Sequence, residues 1–484
     1  MKPKLKPLLL ALAASFALGG CAVGPDYARP QMADTTLAFK EGQNWKPAEP
    51  RELSAGGRWW EMFGDAQLNA LAAEVDISNQ NLALAEANFR SAQAAVQNSR
   101  AALSPTLDAT ASSTRSRSAS SSSSSGSAGV RNAYSFGLNA SWEADIWGRV
   151  RRNVEASAAN AQASAADLAA ARLSAQAALA QNYLQLRVLD AQQQLFDETV
   201  SAYQRSYQLT QNQYAAGMVA KSDVIQAQTQ LRSAQAQALD NQVSRAQMEH
   251  AIALLVGKTP ASFSLSRAPL AAVAPPIPQG LPSMLLERRP DVAAAERRVA
   301  AANANIGVAK AAYFPTLTLS ASGGYQSSSF ADWFSLPGRV WSLGPQLAQS
   351  IFDGGARRAA TDQAIASYDG TVAQYKLAVL TAFQEVEDNL AALRILEQEA
   401  AVQDEALQSA RQAVTLVTNQ YKAGTVSYVN VITAQATALS AERSALDIQN
   451  RRMAASVLLA KALGGGWDAA SLDDLATVEV NSPK

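Results

Sequence analysis

Cys21 and His250 are the only cysteine and the only histidine in the chain. That pair of counts removes intrachain disulfides and most metal and thiol chemistry before any motif is sought. No G-x-S-x-G turn is written anywhere, so a serine nucleophile on a strand-to-helix elbow is absent too. His250 stands in an alanine-rich stretch, where a surface or helix-seam position is its ordinary use. Only a site made of carboxylates is left to an enzyme, so no catalytic residue, no metal and no bound cofactor are expected.

The chemistry that Cys21 can do follows from what precedes it. Lys2, Lys4 and Lys6 lead into an apolar run from Leu8 to Leu18, then Gly19, Gly20 and Cys21. A charged start, an apolar stretch of about 11 residues and small residues before a cut form a secretory signal, here over 1–20. Spanning a membrane takes about 20 apolar residues, so the run is too short to cross one. Leu18-Gly19-Gly20-Cys21 resembles the bacterial lipoprotein signal, in which the cysteine becomes the first residue and carries N-acyl and S-diacylglycerol groups. Such groups anchor a protein without spanning. Ala22 follows instead of an aspartate, which by the same resemblance directs the product to the outer membrane.

The 41 basic and 41 acidic residues cancel, with a pI near 6.7. No basic stripe invites nucleic acid. Hydrophobic residues make up 48% of the chain but aromatics only 7%; alanine dominates, which favours helices and lets them approach closely. From Val150 to Ala216 there is neither glycine nor proline. As a helix that run would be about 100 Å long at 1.5 Å per residue. Gly217 stops it, and a return run from Met218 ends at Gly257. In the second half a run from Thr371 meets Gly424, and a return of equal length ends at Gly464.

Each return is introduced by nearly the same phrase, NQYAAGMV from Asn212 and NQYKAGTV from Asn419. Tyr214, Gly217, Val219, Val224, Ile225, Ala227 and Gln228 recur without a gap as Tyr421, Gly424, Val426, Val431, Ile432, Ala434 and Gln435. The chain is therefore a duplication of one unit. A helix that stops at glycine and restarts at once is an antiparallel hairpin, with the glycine taking the left-handed cap. The repeats are assigned to 61–266 and 283–466, with hairpins turning at 217 and 424. A proline-rich connector, 267–282, joins them; an extended arm, 21–60, precedes them; a tail, 467–484, follows.

Between the helices the period changes to two. Tyr134, Phe136, Leu138, Ala140 and Trp142 alternate with small or polar residues, as do Leu317, Leu319, Ala321 and Tyr325. Such alternation predicts strands. PTLDATAS from Pro105 and RVWSLGPQL from Arg339 are their partners, giving two strands near 105–145 and two near 315–351. The serine tract 116–129 is a solvated loop. Phe330, Trp333 and Phe334 in the corresponding second loop suit either a membrane interface or a buried turn.

Strands of about ten residues with one apolar face fit a transmembrane barrel. Four cannot close one, and open edges are not tolerated in hydrocarbon. Copies must then share a barrel. Two would supply eight strands, which fill their own interior, and three would supply twelve, which leave a passage. With three copies the hairpins surround the same axis as a helical tube.

At this point the residues resemble a known family. CAVGPDY, RWWEMFGDAQLNALAAEV, DIWGRVRR, RRPDVAAAERRVAAANANIGVAKAAYFPTLTLSAS and IFDGGARR, spread over nearly the whole chain, are similar to the TolC-like outer-membrane factors, in the lipoprotein branch (NodT type) that serves tripartite RND efflux pumps. The resemblance implies an α+β membrane protein. It would be a homotrimer with a 12-stranded outer-membrane barrel, four strands per chain, continued by a long periplasmic α-helical barrel. It also implies a passive exit duct that docks a periplasmic adaptor protein and, through it, an inner-membrane RND transporter. The hairpin tips would form the periplasmic gate, so Tyr214, Gly217, Asp223, Tyr421, Gly424, Asn430 and Thr433 become its candidate residues. Many relatives carry an aspartate where this chain has Thr433, with Gln226 in the first copy, so an acidic ring is not carried over at that level. Asp223 is the remaining acidic candidate: a constriction ring, or a solvated helix-start residue. A duct for secreted protein and a coiled-coil tether are the rival readings; the strands argue against the tether.

Overall fold

A computed structural model describes residues 22–31, 39–42, 58–117, 130–268, 288–469 and 472. The proposed signal, Cys21, most of the serine loop, most of the connector and nearly all of the tail lie outside the described residues. The chain divides into two compact units, and each draws on both halves of the duplication.

One unit holds residues 22–31, 88–164 and 294–375. Its centre is one antiparallel sheet of β1 (Thr106–Arg117), β2 (Val130–Ala144), β3 (Thr316–Ser327) and β4 (Arg339–Ala348), in sequence order across the sheet. The register puts Leu107, Ala140, Ala321 and Leu343 in one row across the strands, and Leu317 opposite Leu347. Because successive side chains alternate, Tyr134, Phe136, Leu138, Trp142, Leu319, Tyr325, Trp341 and Leu347 share that apolar face. Thr110, Ser112, Ser135, Asn139, Thr318, Ser320, Ser322 and Gln346 form the other. Both faces are largely open, with Trp341 and Leu343 about three-quarters exposed. β1 and β4 are edges without a neighbouring strand among the described residues.

The two motifs that lead out of the sheet are helix starts. Asp145 accepts hydrogen bonds from Val150 N and Arg151 N at 2.9 Å each, opening α3 (Arg149–Ala215). Asp353 accepts from Gly355 N at 3.0 Å and Arg357 N at 3.2 Å, opening α6 (Ala356–Lys422). A carboxylate there satisfies orphan amides and meets the positive end of the helix dipole. Both helices have 67 residues. The second begins well before Thr371 because Gly370 is absorbed inside it, with nothing within 4 Å of where its Cβ would stand. One interior glycine costs about 1 kcal/mol, too little to break a helix of that length.

Residues 22–31 form a strap across this unit. Val23 N donates to Trp147 O at 3.0 Å, Arg152 reaches Asp26 at 2.7 Å, and Asn303 donates to Pro25 O at 3.0 Å. Tyr27 donates to Glu296. A Cβ on Gly24 would stand 2.5 Å from Gly307 Cα, so both glycines are needed for the close approach. Gly307 and Glu296 belong to α5 (Pro290–Ala311), which the RRPDVAAAERR block opens.

Among the described residues, the other unit holds 39–42, 58–87, 165–268, 288–293, 376–469 and 472. Asp65 caps α1 (Ala66–Ser78), accepting from Gln67 N and Leu68 N. Asn79 separates it from α2 (Gln80–Ala101) and is held to Leu255 O at 2.7 Å. The core joins these to α3, α4 (Lys221–Leu255), α6 and α7 (Tyr428–Ala462) through Leu68, Val75, Leu179, Tyr183, Ile252, Leu390, Met453 and Leu459. Alanines such as Ala180, Ala253 and Ala460 are fully buried, so small side chains do set the close helix spacing here. A buried polar cluster pins the pieces: Asp190 pairs with Arg187 at 2.8 Å and Arg245 at 2.7 Å, while the two arginines hold Ser266 O and Leu265 O. Tyr183 donates to Asp65 at 2.7 Å, and burial first, then that carboxylate, pushes its phenol up to about 12. No helix among the described residues is long and apolar enough to cross a membrane.

Candidate functional site: the helical hairpin tips

The repeated phrase writes one backbone structure twice. In the first copy Gly217 N donates to Tyr214 O at 2.9 Å and Met218 N to Gln213 O at 2.9 Å. In the second Gly424 N donates to Tyr421 O at 2.9 Å and Thr425 N to Gln420 O at 3.0 Å. These crossed bonds are the Schellman closure, which needs a left-handed residue at its centre. Gly217 has φ 72° and Gly424 φ 75°. Neither would meet an atom within 4 Å if given a Cβ, so the glycine requirement is conformational and not one of space. The chain restarts within four residues, at Lys221 and at Tyr428.

The side chains break this symmetry. Tyr421 is buried, while its counterpart Tyr214 is 46% exposed. Tyr421 Oη donates to Gln213 Oε1 at 2.7 Å, tying the second hairpin to the first. Its ring stands 5.3 Å from that of Tyr428, and both pack with Ala227 and Val431 against Tyr207, Val417, Val426 and Ile432. The phenol of Tyr421 is raised by burial, with the nearby Asp223 carboxylate adding to the shift. Tyr428 is raised by burial too, opposed by hydrogen bonds from Ser206 and Thr210. One turn up, Gln230 donates to Tyr203 Oη at 3.0 Å.

Of the residues singled out from the sequence, Tyr421 and Asp223 are therefore brought together. Asp223 is half-buried in the first turn of α4, its amide bonded to Ala220 O at 3.0 Å. There the helix dipole favours its charge. Asn430, its counterpart, is exposed. Thr433 is exposed and turns its hydroxyl back to Val429 O at 3.0 Å, an ordinary intrahelical bond. Gly217 and Gly424 lie in separate turns. Tyr214 and Met218 face outward, Met218 at 68% exposure.

Reading the repeat for its identities missed Gln213 as a partner, and Tyr428, Tyr207 and Thr210. Their signal lay in the differences between the copies: Tyr428 replaces Lys221, and Val417 replaces Thr210. Above the tips, a groove of about 660 Å³ runs between the hairpins, lined by Gln230, Gln237, Gln403, Arg443, Asp447 and Arg451. Arg443 crosses it to Gln237 Oε1 at 3.4 Å, while Arg451–Glu399 at 3.2 Å and Arg411–Glu442 at 2.7 Å tie the two legs of the second hairpin together. At their ends the two hairpins are linked by the Tyr421–Gln213 bond and a small aromatic cluster.

Comparison with known proteins places these observations. A family model described as "Outer membrane efflux protein" matches residues 71–258 and 281–465. The chain is 32% identical over 465 residues to the probable efflux pump outer membrane protein TtgC of Pseudomonas putida, covering 96% of each. It is 32% identical over 467 residues to the pyoverdine export outer membrane protein OpmQ of Pseudomonas aeruginosa, covering 95% of this chain and 97% of that one. Among solved structures it resembles the outer-membrane channel OprN, with TM-score 0.85, 31% identity, and coverage of 92% of this chain and 100% of that one. It resembles CusC with TM-score 0.82, 28% identity and the same coverage.

Proposed function

This chain belongs to the outer membrane efflux protein family, and from that membership we propose that three copies form one passive duct, closed at rest at its hairpin tips. The protein is an outer-membrane efflux channel with the TolC-like fold. The observation that carries the trimer is the sheet. Its apolar face, its polar face and its two unpaired edges are what one third of a 12-stranded barrel needs, with β4 of one copy pairing with β1 of the next. The polar face of serine, threonine and asparagine then lines the water-filled side.

A periplasmic adaptor and an inner-membrane RND transporter complete the pump. Adaptor contacts at the tips favour the open state, and the Tyr421–Gln213 bond with the Tyr421–Tyr428 cluster favours the closed one. Asp223 acts in this reading as a neighbour of Tyr421. Relatives named for toluene, antibiotic and pyoverdine export support small-molecule cargo.

Cys21 carries the lipid. What supports this is the strap: Ala22, the next residue, lies so close to Gly148 that a Cβ there would stand 2.8 Å from Ala22 Cα. Gly148 stands four residues past the end of β2, so acyl chains on residue 21 would start at the helix-side rim of the sheet. Mass measurement of the detergent-solubilised protein tests the assembly; a trimer is expected and a monomer would overturn it. Cys21→Ser should abolish lipid labelling and leave the fold intact; labelling that persists would refute the anchor.

A further inference from the structure

All connections to helices leave the sheet at one end, beside Thr106, Ala144, Thr316 and Ala348, and both hairpin loops lie at the other. With the helices on the periplasmic side, the loop end faces outward. There the register gives the apolar face an unusual finish. Arg115 and Arg117 continue the row of Leu107, Ala109 and Ala111 on β1, and Arg339 starts the row of Trp341, Leu343 and Leu347 on β4. Following the pairing from Arg339 through Tyr325 and Phe136 leads back to Ala111, well short of Arg117. That stagger is the strand tilt of a barrel wall, and it brings the outer ends of β1 and β4 to one height.

The two strands are the opposite edges of the sheet. On the trimer reading, on which this inference rests, Arg339 of one copy then lies beside Arg115 and Arg117 of the next, on the side that meets lipid. All three arginines are exposed, and their side chains make no ion pair or hydrogen bond among the described residues. Three unneutralised guanidiniums beside one another repel. Between the edges the same level is filled with rings: Tyr134 packs with Phe330 at 5.6 Å and with Trp333 at 5.7 Å, and Phe136 and Tyr325 pack with Phe334 at 5.9 and 5.7 Å. Phe330 and Phe334 stay more than half exposed, as aromatics at a lipid–water boundary do. The face is apolar below, aromatic at the boundary and cationic at the rim.

We propose that each seam between copies holds the phosphorylated saccharide headgroup of an outer-leaflet glycolipid, its phosphates bound by Arg115 and Arg117 of one copy and Arg339 of the next. Arginine forks suit phosphate oxygens bidentately, and the acyl chains of the same molecule would lie over Leu343 and Trp341. The apolar band below the arginines selects a lipid over a free anion.

The test uses the full-length protein purified in mild detergent, with native mass spectrometry and titration of bis-phosphorylated lipid A. Arg115→Gln, Arg117→Gln and Arg339→Gln together should weaken binding about 150-fold, from the order of 1 kcal/mol per arginine at an anionic surface. Arg131→Gln, on the polar face of β2, should leave it unchanged, and dephosphorylated lipid A should bind the parent as weakly as bis-phosphorylated lipid binds the triple variant. A trimer whose triple variant keeps parental affinity, or that does not distinguish the dephosphorylated lipid, overturns this inference alone. A monomer in every detergent overturns it together with the assembly.

Discussion

Replacing Tyr421 by phenylalanine removes one oxygen and leaves the ring. In the structure that oxygen donates to Gln213 Oε1 at 2.7 Å, and the ring packs with Tyr428, Ala227 and Val431, so the substitution isolates the polar link between the hairpins. Gln213 is half-buried and regains water when its partner is lost. The net loss is then the usual value for a neutral hydrogen bond, about 1 kcal/mol, and not the larger cost of a dry orphan. For one copy acting alone that is about a fivefold shift towards the separated state; if three copies open together the factors multiply to about 150-fold. Single-channel conductance of the protein in planar bilayers measures it as open probability, with Tyr214→Phe as the internal control. Tyr214 occupies the same position in the repeated phrase but is exposed and outside the cluster, so its variant should match the parent. Equal effects from both substitutions would refute the claim that the second copy holds the tips, and no effect from either would refute the role of the phenol.

Gly217→Ala and Gly424→Ala should each lower stability by about 1 kcal/mol, because alanine resists the left-handed conformation although space is free; thermal melts should show asparagine recovering part of that loss. Gly24→Val should release the strap, since its side chain meets the backbone of Gly307; protease cleavage within 22–31 should become fast while the helices stay protected. The Tyr183 phenol, raised by burial and Asp65 from 10.0 to about 12, contributes stability that is complete below pH 10 and lost as pH rises towards 12. Tyr183→Phe should therefore be less stable at pH 8 yet fall less steeply over that alkaline interval in denaturant titrations.

Much of this was legible in the sequence because the signals are local. A glycine that ends a long breaker-free run in the same phrase twice marks a helix cap, so both turns could be read from the repeat. Alternation in AYSFGLNASW and TLTLSAS states which residues share a sheet face, and the aspartates of DIWGR and FDGGAR cap the helices they introduce. Gly370 misled the reading of the second long run for an equally physical reason: one breaker is a small local cost, and only the summed packing of the whole helix decides whether it is accepted.

The candidate site divides along the same line. The phrases NQYAAGMV and NQYKAGTV determined two equivalent backbone turns, because the Schellman closure depends only on residues within six positions of each other. They say nothing of which tyrosine points inward. That was decided by the packing of the second hairpin against the first, where Tyr428, Val431 and Ala227 enclose Tyr421, and Gln213 supplies an acceptor from across the pair, while Tyr214 is left facing water. Sequence identity between the copies hid this difference, since burial is a property of neighbours brought together from separate parts of the chain.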